Sequence, residues 1–137
     1  MIVLDTNVLS EGTKASPDPK VRAWEAANAD QLWLPIVVLA ELRGGAAMMA
    51  AGKRRDALEA QFDEFETEYS ERLLKFDAAS SRRYAQVLES AKKAGKPIAT
   101  ADAMIAAIAL QHEMSVATRD LGDFSGAGVA LINPWEA

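Results

Sequence analysis

The sequence predicts an α/β fold, an α/β/α sandwich whose mainly parallel central sheet is covered by helices on both sides. Short apolar segments rich in Val, Ile and Leu alternate along the chain with longer segments whose apolar residues recur at helical spacing. This alternation is typical of parallel strands joined by helices, which bury both faces of the sheet. Because 137 residues suffice for one core but hardly for two, residues 1–137 are predicted to form a single domain.

Five short apolar segments are predicted to be the strands. They are residues 2–4, 32–34, 73–76, 116–117 and 129–132. The first of them opens the chain as a β-branched run that ends at Asp5. Turn-forming residues separate the last two, with Gly126 and Gly128 between them.

Helices are predicted between these strands. They are residues 20–27, 35–51, 54–69, 81–94 and 101–113. Apolar residues at helical spacing, such as Leu58, Phe62 and Phe65, define their buried faces. The boundary signals are Pro35 in a first turn, Thr100 as a cap, and Gly52 and Gly95 as stops. Residues 10–19, which contain two prolines and a glycine, are predicted to be a loop.

The composition excludes several kinds of protein. Lys and Arg number 15 against 20 Asp and Glu, a net charge of −5, which argues against a broad basic surface for polyanions. The chain has no cysteine, so thiolate zinc sites are excluded, and its single histidine excludes a ribonuclease that uses two histidines. No apolar run approaches the roughly 20 residues that cross a bilayer, and no basic signal region begins the chain. We therefore expect a cytoplasmic protein without a membrane segment.

Three carboxylates are predicted to meet where the strands end. Asp5 directly follows the first strand, and Asp120 lies three residues after Ala117. Asp102 lies in the first turn of the helix that leads into the fourth strand. In a right-handed crossover that turn lies at the same edge of the sheet. Ligand sites of parallel sheets form beyond this edge, so the three acids mark a candidate site.

Two acids are also predicted to lie on apolar helix faces. Asp102 shares its face with residues 105, 106 and 109, and Glu41 shares its face with residues 37, 38, 45 and 48. A buried carboxylate has to be paired, protonated or bound to a metal. Each acid taken alone also has an ordinary structural explanation, as a turn, cap, loop or ion-pair residue. The joint placement is what favours a site.

Carboxylates that converge on one edge repel one another and attract a hard divalent cation. Mg²⁺ prefers oxygen ligands and takes only one or two protein carboxylates directly. It would activate a water molecule for attack on phosphorus and offset the charge that develops there. The acids therefore favour hydrolysis of a phosphodiester bond.

Four segments resemble the PIN-domain nucleases in their order and spacing. They are Ile2-Val3-Leu4-Asp5-Thr6-Asn7, Ala40-Glu41-Leu42, Ala101-Asp102-Ala103-Met104-Ile105-Ala106 and Ala117-Thr118-Arg119-Asp120. Within that family the chain most resembles the VapC-type toxins of bacterial toxin–antitoxin pairs, in particular the FitB-like branch. The closing Asn133-Pro134-Trp135 also resembles that branch.

The resemblance implies a PIN-like α/β/α sandwich and an Mg²⁺- or Mn²⁺-dependent endoribonuclease, the toxin of a type II toxin–antitoxin system. It also implies a homodimer and inhibition by a cognate antitoxin, through which alone the complex contacts DNA. Asp5, Glu41, Asp102 and Asp120 match the acidic quartet of the family, with Asp5, Asp102 and Asp120 as the predicted metal ligands. The supporting polar positions match Thr6, Asn7 and Thr118. Many relatives carry Asn at the position of Asp120 and use the acid at that of Asp123; here Asp120 is favoured.

Two other functions remain open at this stage. The domain could be a catalytically silent PIN-like module that binds another protein. It could also be a phosphotransfer enzyme with Asp5 as an aspartyl-phosphate nucleophile, although Asn7 stands where a dehalogenase-like pattern would place an acid. The phosphotransfer pattern does not explain Glu41 on its apolar face, and a silent module would be marked by the loss of one or more acids, none of which is missing here.

Basic and aromatic residues are weaker candidates. Arg43, Lys53, Arg54 and Arg82 are candidates for guiding the RNA backbone, because phosphate contacts position a substrate without reading its sequence. Most such clusters are solvated helix ends. The three tryptophans, Trp24, Trp33 and Trp135, are predicted to pack in the core or at an interface and not to stack on bases.

Overall fold

The computed structural model describes all 137 residues and shows the predicted α/β fold. The strands are β1 (Ile2–Leu4), β2 (Leu32–Pro35), β3 (Leu73–Leu74), β4 (Ser115–Ala117) and β5 (Leu131–Ile132). The helices are α1 (Thr6–Glu11), α2 (Pro19–Ala27), α3 (Ile36–Ala47), α4 (Lys53–Glu68), α5 (Ala78–Lys93) and α6 (Thr100–Gln111). Short 3₁₀ turns occur at Ala29–Gln31 and Leu121–Phe124. All five predicted strands are present, although β3 and β5 are shorter than expected.

All strand pairings are parallel, in the order β3-β2-β1-β4-β5. β1 is central, so that Ile2 lies opposite Leu32 on one side and Ser115 on the other. Parallel strands end on the same side of a sheet, and the residues that follow β1 and β4 therefore meet there. We call this side the carboxyl edge; it carries the candidate site.

Helices cover the sheet on both faces. Crossovers between parallel strands are right-handed, so α1 and α2, which precede β2, lie on one face, and α5 and α6, which precede β4, lie on the other. α3 and α4 join β2 to β3, and α3 packs against both α1 and α6. No helix combines the length and the apolar character that crossing a bilayer requires.

The core fixes α6 firmly in place. The hydrophobic core is one cluster of 29 buried residues. Five consecutive residues of α6, Ile105 to Ala109, are completely buried, which is expected of a helix that is apolar on every side. Because three of these five are alanines, α5 and the sheet can approach α6 closely. The start of α6, with Asp102, is thereby held at the carboxyl edge.

Two predicted boundaries near the site are wrong. The predicted loop at residues 10–19 begins later, because residues 6–11 form α1 behind an N-terminal cap from the Asp5 side chain. α3 ends at Ala47 and not near residue 51, and Gly52 precedes α4 instead of closing α3. The reason is burial: Ala46 is the last buried residue of α3, and Met48 is 87% exposed.

The ends of α5 and α6 also differ from the prediction. α5 begins at Ala78, earlier than the predicted residue 81, because Asp77 and Ser80 form a reciprocal capping box. Thr100 lies inside α6 and makes no capping hydrogen bond; Ala99 is the cap residue. Gly95 follows α5 with a positive φ of 66°, as predicted for a helix stop.

Gly126 is expected to tolerate no side chain. A Cβ there would lie 2.8 Å from Cβ of Lys96 and 3.1 Å from Cα of Ala91. Gly126→Ala should therefore lower the free energy of unfolding by about 1 to 3 kcal/mol, measured by urea denaturation. Gly44→Ala is the control, because nothing lies near its Cβ position and alanine favours a helix by up to about 1 kcal/mol. Equal effects of the two substitutions would contradict this packing.

Candidate active site

Asp5 is a buried carboxylate at the end of β1. Its side chain is 5% exposed. Oδ1 accepts a hydrogen bond from the Thr6 N–H at 2.8 Å, and Oδ2 accepts one from the Thr118 hydroxyl at 2.8 Å. Burial is the main reason that the pKa of Asp5 is raised, and the two hydrogen bonds oppose that shift. The negative charges of Glu41 and Asp120 raise the pKa of Asp5 further.

Thr118 and Asn7 connect the residues that follow β1 and β4. The Thr118 side chain is completely buried, and its hydroxyl accepts a hydrogen bond from the Asp120 N–H at 3.0 Å. The Asn7 amide donates to Oδ2 of Asp120 at 3.0 Å and to the Thr118 hydroxyl at 3.4 Å. The residues predicted to support the acids are thus in direct contact with them.

Glu41 reaches the site from α3, but it is exposed and not buried as predicted. The Thr6 hydroxyl donates to its Oε1 at 2.6 Å. The predicted apolar face fails beyond Glu41, since Gly45 and Met48 are both exposed. Contact with the start of α1, and not burial on a helix face, is what places Glu41 beside the other acids.

Asp102 lies partly buried in the first turn of α6, and its carboxylate accepts no hydrogen bond within the protein. The pKa of Asp102 is raised to about 6 in all, and burial is the largest cause. Negative charges add to the shift; in decreasing order they come from Asp5, Asp123, Glu41 and Asp120. Asp102 is therefore the acid on which the charges of all the others converge.

Both candidates for the fourth acid belong to this group. Asp120 is exposed, and its carboxylate is held by Asn7. Asp123 is also exposed, in the 3₁₀ turn, and its charge raises the pKa of Asp102 more than that of Asp120 does. Asp120 is thus linked to Asp5 and Asn7, whereas Asp123 acts mainly on Asp102. We call Asp5, Glu41, Asp102, Asp120 and Asp123 the acidic group.

The donor set of the acidic group suits a hard cation. It consists of carboxylates alone, and their mutual repulsion is what a divalent cation would relieve. No three of them are placed to bind one ion together. An ion with one or two direct carboxylates, and with water molecules linking the rest, is compatible with this arrangement. Direct ligation by all of Asp5, Asp102 and Asp120 stays a prediction.

The predicted substrate-guiding residues lie outside this network. The Arg43 guanidinium is 3.0 Å from Asp63 and 3.5 Å from Glu66, so it ties α3 to α4 and its charge is partly neutralised. The remaining three, Lys53, Arg54 and Arg82, are exposed and form no ion pair. None of the four is hydrogen-bonded to the acidic group, and their role in guidance stays a prediction.

One contact at the site, between Arg119 and Trp135, was not predicted from the sequence. The Arg119 guanidinium lies 5.2 Å from the centre of the Trp135 ring. The Arg119 N–H donates to Oδ1 of Asn7 at 3.2 Å. The prediction that Trp135 packs is confirmed, since it lies partly buried against the core. Its contact with Arg119 at the rim of the acidic group was not expected.

Comparison with known proteins supports the resemblance seen in the sequence. Residues 2–128 match the family model of the PIN domain. A VapC ribonuclease of Sinorhizobium fredii is 48% identical over 138 residues, 99% of each chain. The plasmid stability protein StbB of Pseudomonas syringae is 45% identical over 139 aligned residues, all of each chain. Toxin FitB of Neisseria gonorrhoeae is 42% identical over 137 residues, 98% of this chain and 99% of FitB.

Solved structures agree with these relatives. A chain of FitAcB from Neisseria gonorrhoeae superposes with a TM-score of 0.92 at 41% identity, over all of both chains. A chain of FitAB bound to a DNA fragment gives 0.90 at 42% identity, over 98% of this chain and 96% of that one. VapBC2 from Rickettsia felis gives 0.82 at 22% identity over 97% and 98%, which shows the fold alone. The family model and the identities together place the chain in the PIN-domain family, among proteins named VapC and FitB.

Proposed function

We propose that the protein is a metal-dependent endoribonuclease, the toxin of a type II toxin–antitoxin system. The observation that carries this proposal is the convergence of five carboxylates at the carboxyl edge, where their charges act on one Asp102 side chain whose pKa is raised to about 6. Clustered titratable groups with perturbed pKa values are typical of functional sites. The 48% identity to a protein named VapC ribonuclease supports RNA as the substrate.

Individual residues have distinct tasks in this proposal. Asp5 and Asp102 are the acids least exposed to water. One or two of Asp5, Asp102 and Asp120 would bind Mg²⁺, or Mn²⁺ in its place, directly, and the rest would reach the ion through its water ligands. When bound, such an ion would supply positive charge beside the reacting phosphate and would lower the pKa of a water molecule. Thr118 donates to Asp5 and so fixes the direction of its carboxylate. Thr6 does the same for Glu41, and Asn7 for Asp120.

Partners follow from the same comparison. The similar solved structures include complexes described as toxin–antitoxin complexes or systems. Three of the structures, FitAB, VapBC2 of Rickettsia felis and VapBC of Salmonella typhimurium, are bound to DNA. We propose that this chain binds a cognate antitoxin and reaches DNA only through that antitoxin. We also propose that it forms a homodimer, as its resemblance to the family implies. A net charge of −5 disfavours direct contact with a polyanion over a broad surface. Action on cellular RNA would place the protein in the cytoplasm.

The geometry disfavours a phosphotransfer enzyme with Asp5 as the nucleophile. Each of its oxygens accepts a hydrogen bond, and 5% exposure leaves little room for an incoming phosphorus atom. A small cation needs only one free lone pair of such an oxygen. A silent binding module would gain nothing from the charge repulsion around Asp102. Both alternatives are separated from the proposal by one assay.

Chelation is expected to abolish RNA cleavage. Protein stripped of metal is incubated with labelled single-stranded RNA in EDTA, and then with excess Mg²⁺ or Mn²⁺. We expect no cleavage in EDTA and full recovery with either ion, because the acidic group alone cannot offset the charge at phosphorus. Asp102→Asn protein, prepared identically, is the control for contaminating ribonuclease. Cleavage that persists in EDTA contradicts a metal-dependent mechanism, and a protein that cuts no RNA with either ion is a silent module.

A further inference from the structure

The register of β4 and β5 brings two distant segments together at the carboxyl edge. Ala117 lies opposite Ile132, and the Thr118 N–H donates to the Ile132 carbonyl at 2.9 Å. The strands are parallel, so the residues that follow them continue side by side. Arg119 and Trp135 become neighbours for this reason, directly next to the acidic group.

Trp135 is held in place by a turn. The Asn133 side chain accepts a hydrogen bond from the Trp135 N–H at 2.9 Å, and the Asn133 carbonyl accepts one from the Glu136 N–H at 3.0 Å. The indole packs against the core on its inner side. A fixed aromatic ring therefore stands at the rim of the site.

Arg119 is fixed from two sides. Its guanidinium lies 5.2 Å from the centre of the Trp135 ring, within the range of a cation–π contact. Its main chain is held by Asn7, which also holds Asp120. Stacking on a ring occupies the face of a guanidinium and leaves its N–H groups free to donate at the edge. Such an arginine is pre-organised to bind an anion.

Arg119 forms no ion pair, although its charge is among those that lower the pKa of the buried Glu11, which is itself paired with Lys14. No carboxylate lies within 4.0 Å of its guanidinium, whereas Arg43 and Arg22 are both paired. Its side chain is exposed. A polyanion that approaches five carboxylates is repelled by them, and a free cation at their rim would offset part of that repulsion. The main-chain N–H of Arg119 donates to Asn7, which also holds Asp120 of the acidic group.

We propose that Arg119, stacked on Trp135, binds a backbone phosphate of the substrate RNA beside the acidic group. The inference rests on the proposed ribonuclease function, and it names the contact that holds the substrate there. A phosphate contact fixes position and carries no base preference. Trp135 serves as the support for Arg119 and not as a platform for a base, because Arg119 covers the ring.

The test compares two charge-removing variants, Arg119→Gln and Arg83→Gln. Arg83 is an exposed arginine of α5 and serves as the matched control. Both are made in an Asp102→Asn background so that RNA is bound but not cut, and affinity for a fluorescein-labelled single-stranded RNA of mixed sequence is measured over a series of salt concentrations. Arg119→Gln should weaken binding about 3- to 30-fold at low salt and reduce the slope of log affinity against log salt by about 0.7. Arg83→Gln should change neither.

Two further variants separate phosphate binding from a structural role. Arg119→Lys keeps the charge and should keep the salt slope, and Trp135→Leu should keep the slope while lowering affinity. With Asp102 intact, Arg119→Gln should raise KM for cleavage with little change in kcat. If Arg119→Gln binds RNA as tightly as Arg83→Gln does, the inference is overturned. It is also overturned if Arg119→Gln loses affinity for the antitoxin but not for RNA. Failure of the unmodified protein to cut any RNA with Mg²⁺ or Mn²⁺ is a different result and overturns the proposed function instead.

Discussion

Asp102→Asn is expected to lower the rate of RNA cleavage by about 100-fold or more and to stabilise the metal-free protein. The loss of activity follows because Asp102 is the acid on which the other charges converge, and removal of even an outer partner of a metal site costs about 10- to 100-fold. The gain in stability follows because asparagine has the same shape and no charge. Substitution of a residue that matters only for the fold would lower the free energy of unfolding instead of raising it.

The sign of the pH dependence follows from the raised pKa of Asp102. That pKa is about 6 in the folded protein and 3.8 in an unfolded chain. Between these two pH values the folded state binds more protons than the unfolded state, so stability falls as the pH rises. Above about pH 6 the full cost of the charged carboxylate is present. We expect Asp102→Asn to be more stable than the parent by about 1 to 2 kcal/mol at pH 7, after allowance for solvent screening, and no more stable at pH 4.

Thermal unfolding in EDTA at pH 4 and pH 7 measures this difference. Asp56→Asn is the matched control, because Asp56 is an exposed acid in the first turn of α4 and its loss should stabilise at neither pH. Added Mg²⁺ should raise the melting temperature of the parent at pH 7 more than that of Asp102→Asn, since ligands stabilise the state that binds them. Cleavage by Asp102→Asn at the parental rate, or a stability gain that is equal at both pH values, contradicts the assignment of Asp102.

The acids were predictable because their placement depends on local sequence and on one topological rule. Asp5 and Asp120 follow apolar segments that are predicted to be strands, and parallel strands end on one side. Asp102 lies in the first turn of a predicted helix and shares the apolar face of residues 105, 106 and 109, so it was expected to be at least partly buried. These inferences need the order of the elements and no detail of their packing.

The features that the sequence did not predict depend on packing between distant segments. α1 was overlooked because six residues that include Asn7 and Ser10 carry a weak helical signal, and the cap from Asp5 supplies what local propensity lacks. Glu41 was assigned to a buried face because periodicity shows which residues share a face but not whether that face meets the core. The contact of Arg119 with Trp135 depends on the pairing of β4 with β5, which no local pattern specifies.

Thr118→Val is expected to weaken both stability and activity, although valine fills the same space. The Thr118 hydroxyl is completely buried and donates to Oδ2 of Asp5. This hydrogen bond opposes the rise in the pKa of Asp5 more strongly than the hydrogen bond from the Thr6 N–H does. Without it a buried carboxylate oxygen loses its donor, which costs about 1 to 3 kcal/mol. Cleavage should fall about 10- to 100-fold, because the Asp5 carboxylate is no longer held in one direction.

The pH at which the loss appears distinguishes this explanation from simple repacking. The pKa of Asp5 is already raised by burial, and loss of the hydrogen bond raises it further, so this part of the cost falls on the charged form of Asp5. The Asp120 N–H also loses its acceptor in Thr118→Val, which adds a smaller cost that does not depend on the ionisation of Asp5. The deficit of Thr118→Val should therefore be large at neutral pH and shrink towards acid pH, where Asp5 is protonated in both proteins. Thr118→Ser keeps the donor and loses one methyl group, worth about 1 kcal/mol at any pH, and should retain most of the cleavage activity. If the valine and serine variants cut RNA equally well, the Thr118 hydroxyl does not orient Asp5, and the alignment of the acidic group has to come from its other hydrogen bonds.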